Sequence, residues 1–124
     1  MTTPAVSMRD FATDAPEAAI DRGHLSRMTF GDRSLEREVL DLFDRQATIL
    51  IERMRGGEPA AVATWAHTLK GSAAGIGAAR VAQSARAAEI AAGQSAAECS
   101  QAIDRLAQAV DEARALIAQL LLEG

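Results

Sequence analysis

The sequence predicts an all-α fold: an antiparallel up-down-up-down four-helix bundle with a short additional N-terminal helix. Three observations predict it. Alanine and leucine dominate, and both favour helix. Aromatic residues make up only 3% and tyrosine is missing, a composition ill suited to a sheet. Apolar residues recur at steps of three and four over long segments, the mark of one buried helical face, and the connections between those segments are short enough to favour antiparallel neighbours.

Residues 1–15 show no sustained period and are expected to form a mobile N-terminal arm, with 16–124 as the bundle domain. Asp14-Ala15-Pro16-Glu17 looks like a helix start, a capping acid followed by proline in the first turn. The short N-terminal helix runs in pieces to about Met28, with Asp21 capping a second piece and Gly31 ending it. Asp32 is placed to cap the next helix, whose inward face is read as Leu35, Val39, Leu42, Phe43, Ala47, Leu50 and Met54. Gly56-Gly57 stops that helix, since glycine tolerates the left-handed conformation found after helix ends. Pro59 opens the following helix, where its missing N–H does no harm.

The inward stripe of that helix is Val62, Ala66, Leu69, Ala73 and Ile76, and Gly75-Ile76-Gly77 loosens the chain after it. An alanine-rich helix then spans about Ala78 to Ala92 and ends at Gly93. Ser95-Ala96-Ala97-Glu98 fits a capping box, in which Ser and Glu side chains satisfy free backbone donors reciprocally. The last helix turns Cys99, Ile103, Leu106, Val110, Ala113, Ile117 and Leu120 inward. Cys99 is expected to be a small buried residue, and Trp65 to pack at the edge of the core.

Composition narrows the function classes. The 124 residues suffice for one core, not for a core plus a nucleotide-binding domain. Net charge is −4 with Lys and Arg scattered among acids, so no nucleic-acid surface is expected. No apolar run reaches the length needed to span a bilayer, and residues 1–9 lack a signal-peptide core, so a cytoplasmic protein is expected with no membrane association. The start at Met1 favours a free-standing protein, and a monomer is expected. Two histidines and one cysteine are too few for a metal site, so no metal is expected. No glycine-rich phosphate loop or kinase-type pocket motif occurs.

His67 is the candidate reactive residue. With a turn of about 100° per residue, the inward stripe of its helix lies roughly 180–260° from it, so the imidazole points to solvent. Ala60, Ala63, Thr64, Lys70, Gly71 and Ala74 fall within about 60° of it on the same wheel. Most of these are small, which leaves room for a partner surface on Ala63, Thr64, Gly71 and Ala74. A mid-helix glycine costs roughly 1 kcal/mol against alanine, so Gly71 marks a place where something approaches the backbone. A neutral imidazole is a nucleophile at physiological pH and can form covalent intermediates. Lys70, one turn on, can stabilise phosphoryl oxygens as a point charge. No acid or second nucleophile adjoins His67 in the sequence, so a hydrolase is not expected. His24 carries no comparable pattern and is read as surface decoration.

Ala66-His67-Thr68-Leu69-Lys70-Gly71-Ser72-Ala73, followed by Gly77, resembles the signature of histidine-containing phosphotransfer (HPt) domains. The resemblance extends back to Leu42-Phe43 and forward to Glu89, which matches an acidic residue often found on the following helix, and covers roughly residues 20–93. Departures are Gly57-Glu58-Pro59 in the turn, Ala88 where leucine is common and Gly75 where a larger polar residue is common. The resemblance implies a phosphorelay intermediate without kinase activity. It would accept a phosphoryl group on the distal ring nitrogen of His67 from a receiver-domain aspartyl-phosphate and pass it to another receiver. Lys70 would stabilise the group, and Gly71 would admit the receiver. The implied partners are receiver domains of a hybrid histidine kinase or of response regulators. No cofactor is implied on this chain, with Mg2+ on the partner receiver only. The alternative is a helical adaptor that binds signalling proteins without carrying phosphate.

Overall fold

The computed structural model describes residues 19–123, and among these the secondary structure is entirely helical. The expected arm over 1–15 and the helix start at Asp14–Glu17 lie outside the described residues. The helices are α1 (Arg22–Met28), α2 (Arg33–Arg55), α3 (Pro59–Gly75), α4 (Ala79–Ala91) and α5 (Ala96–Glu123).

Local chemistry sets most of the boundaries. Asp21 accepts from the His24 N–H at 3.0 Å and Asp32 from the Leu35 N–H at 3.1 Å, so each aspartate satisfies a backbone donor that the first turn leaves free. Pro59 occupies the first turn of α3 without a side-chain cap at Glu58. At the start of α5 the Glu98 N–H donates to Ser95 Oγ at 3.1 Å while Glu98 accepts from the Ser95 N–H at 3.2 Å, a complete capping box.

The four long helices pack in a closed ring, α2 on α3, α3 on α4, α4 on α5 and α5 back on α2. Arg37 reaches the Leu121 carbonyl, Asp44 pairs with Arg114 and Arg55 pairs with Asp104, so the residue order along α2 runs opposite to that along α5. Exposed pairs of this kind contribute about 0–1 kcal/mol each. The greater stabilisation comes from the shared core, where Leu40, Met54, Leu69, Leu106 and Ile117 are almost wholly buried, each worth about 1.5–3 kcal/mol of transfer free energy.

Three expectations change. Leu35 and Leu42 do not face inward: they are 36% and 61% exposed, and Leu40 takes the core position. The reason is that α2 carries two apolar stripes, Leu40/Phe43/Ala47/Leu50/Met54 inward and Leu35/Leu42/Ile49 outward, and spacing alone mixes them. Gly56 closes α2 at φ −118°, so no left-handed residue is needed there. Gly57 is required for a different reason, since a Cβ on it would stand 2.7 Å from the Trp65 ring and 3.0 Å from the Arg53 carbonyl oxygen. Cys99 is only half-buried.

His24 is also not decoration. It is half-buried, and its Nε2–H donates to the Gly75 carbonyl at 3.1 Å, satisfying an acceptor at the last turn of α3. Beside it the Asp21 N–H donates to the Gly77 carbonyl at 2.8 Å. Gly77 adopts φ +80°, and a Cβ there would meet the Asp21 backbone at 3.0 Å. The N-terminal helix thus braces the C-terminal end of α3.

Candidate functional site

α3 is anchored by Ala66, Leu69 and Ala73, all fully buried, and this orientation leaves His67 on the outer surface with its side chain 65% exposed. Thr64 and Thr68 are exposed beside it, but their hydroxyls donate to the Ala60 and Thr64 carbonyls of their own helix and so turn away from the imidazole. Ala63 is half-buried, and Ala74 and Gly71 are exposed. A Cβ on Gly71 would meet nothing within 4 Å, so packing within this chain does not require the glycine. Ala63, Thr64, His67, Thr68 and Glu89 line an open depression of about 340 Å³.

The acid beside His67 comes from α4. Ala85 and Ala88 are buried, which aims Glu89 across to α3. One Glu89 oxygen lies 3.1 Å from His67 Nδ1, and the other accepts from Lys70 Nζ at 3.1 Å. The carboxylate therefore joins the imidazole and the ammonium in one chain of contacts. The expectation that no acid adjoins His67 is overturned, because a neighbour delivered by another helix cannot be seen in the local sequence. Only the family resemblance points to Glu89. Arg80, by contrast, pairs with Glu112 of α5 at 3.1 Å and stays out of the cluster.

Charge fixes the direction of these bonds. The hydrogen bond from Lys70 lowers the Glu89 pKa below the ordinary glutamate value of 4.5; partial burial opposes it, and attraction to Lys70 and contacts with His67 reinforce it. Glu89 is thus ionised at neutral pH. An ionised carboxylate only accepts, so His67 Nδ1 must carry the proton and donate. On a neutral ring this leaves Nε2 bare. A folded-state pKa held below the unfolded one means the Glu89 contacts stabilise fully above pH 4.5 and weaken as pH falls through the lowered value.

The described residues contain no group of three or more potential metal ligands. No helix among them is long and apolar enough to cross a membrane.

The family model described as Hpt domain matches residues 34–116, more than half of the chain. The chain therefore belongs to the Hpt domain family, a family of phosphocarriers rather than kinases, with a phosphotransfer role in two-component signalling. No curated protein and no solved structure matches it.

Proposed function

We infer that His67 is the phosphoacceptor of a phosphorelay intermediate, loaded by the aspartyl-phosphate of one receiver domain and unloaded onto the aspartate of another. The observation that carries this reading is the His67–Glu89–Lys70 chain, with Nδ1 occupied by an ionised carboxylate on an imidazole side chain that is 65% exposed. In the transfer, the Nε2 lone pair forms the N–P bond while the bond from phosphorus to the receiver's carboxylate oxygen breaks, and that carboxylate leaves with the electron pair. Glu89 holds the imidazolium-like charge that develops on the ring. Lys70 exchanges its bond to Glu89 for the phosphoryl oxygens. Mg2+ is supplied by the receiver. The four long helices act as an antiparallel up-down-up-down scaffold, and Ala63, Thr64, Gly71 and Ala74 form the surface of small side chains against which the receiver sits. A cytoplasmic location follows from such partners.

The test is incubation of the protein with a phosphorylated receiver domain, which should move label onto this chain in a form that is acid-labile and alkali-stable. A chain that takes up no label from any receiver of its source would overturn the reading. Two further outcomes are expected. Gly71→Gln should leave the circular dichroism spectrum unchanged, because nothing lies within 4 Å of the new Cβ. It should slow transfer roughly 10–100-fold by displacing the receiver. Long-range 1H–15N spectra should show neutral His67 with its proton on Nδ1, and Glu89→Ala should shift it toward the Nε2–H form; an unaltered tautomer would show that Glu89 does not orient the ring.

A further inference from the structure

We propose that the outward stripe of α2 is a two-fold interface through which two copies of this chain associate, leaving His67 of each copy accessible. The stripe is Leu35, Leu42 and Ile49, 36%, 61% and 46% exposed. Leu35 and Ile49 each stand seven residues from Leu42, two turns to either side, so the row has a centre. An antiparallel α2 from a second copy repeats the same spacing in reverse. Leu42 then meets Leu42 of the partner subunit, and Leu35 meets Ile49 of the partner subunit. That is the self-complementary pattern an isologous dimer requires.

Charge supports the same arrangement. The N-terminal half of the exposed flank carries Glu38 and Asp41, and the C-terminal half carries Arg45, Glu52 and Arg53; Arg45 pairs with Asp41 of its own helix at 3.0 Å, while Glu38 is exposed beside the stripe. Antiparallel packing brings Glu38 against Arg45 of the partner subunit on the same flank, once in each direction, beside the Arg45–Asp41 pair each helix already holds. A parallel arrangement would lay like on like, which is destabilising. The groove lined by Leu42, Arg45, Gln46, Ile49, Leu50 and Arg53 has a volume of about 480 Å³, room for an incoming leucine from Leu35 of the partner subunit. Phe30 extends the apolar row beyond the start of α2. It is 89% exposed and held at φ +57°, a backbone conformation that favours glycine. In the dimer it reaches the Arg53 end of the partner helix, where a ring and a guanidinium attract.

This inference does not rest on the phosphotransfer reading, and the two surfaces are separate. The depression at His67 is lined from α3 and α4, and the groove from α2 alone. The contact is small, so association should be weak, with a dissociation constant on the order of 10–100 μM. It departs from the monomer expected from the sequence.

Sedimentation equilibrium of the full chain from about 10 μM to 1 mM should show a monomer–dimer transition. Leu42→Glu should keep the helical spectrum, since the side chain is exposed, and remain monomeric throughout. Glu38→Arg and Arg45→Glu should each weaken association roughly tenfold, and the double variant should restore it. A wild-type chain that stays monomeric over the whole range overturns the proposal, as does a dimer indifferent to Leu42→Glu. A monomeric wild type whose Leu42→Glu variant loses phosphotransfer from a receiver would assign the stripe to the receiver instead.

Discussion

His67→Gln is expected to abolish acceptance of the phosphoryl group while leaving the fold and its melting temperature essentially unchanged. The side chain is 65% exposed, and no core contact depends on it. Glutamine can still donate a hydrogen bond toward Glu89, so the carboxylate keeps a partner. What glutamine lacks is a nucleophilic nitrogen lone pair, since its amide nitrogen is delocalised into the carbonyl. A phosphotransfer time course from a labelled receiver, read alongside circular dichroism, separates the two effects. Label appearing on the variant at the wild-type rate would place the acceptor elsewhere.

Leu69→Ala is expected to do the reverse. Leu69 stands between His67 and Lys70 in sequence but is 0% exposed, locked in the core on the opposite face of α3. Truncation removes its buried side chain and leaves a partly unfilled space, costing about 2–5 kcal/mol. For a domain of this size that is a drop in Tm of roughly 10–20 °C. At a temperature where the variant is still folded, transfer should continue, because the atoms of the site are all present. A variant with unchanged Tm would mean that α3 is not held by this stripe.

The helix boundaries were legible because caps are local chemistry. Asp21, Asp32, Pro59 and the Ser95/Glu98 pair each act on backbone groups a few residues away, within reach of a sequence reading. The orientation of α3 was legible for a similar reason, since its apolar residues form one unambiguous stripe. α2 was harder because it is apolar on two faces, and only packing chooses Leu40 over Leu42. The contacts of Glu89 with His67, of Gly57 with Trp65 and of His24 with Gly75 depend on how separate helices lie against one another. No local pattern encodes that register. The face that presents His67 could therefore be read in advance, but not the carboxylate that orients it.

The brace formed by α1 bears on where this domain begins and ends. Sequence similarity to the family runs from 34 to 116, a span that excludes Ile20, Leu25, Ile117 and Leu120, all buried in the core. Excision at those limits would strip apolar cover from one end of the bundle and free the Gly75 carbonyl at the end of α3 from His24 and the Gly77 carbonyl just beyond it from Asp21. The unit that must fold as a whole is longer than the unit that similarity recognises, and a shortened piece would fray first at the exit of the helix bearing His67.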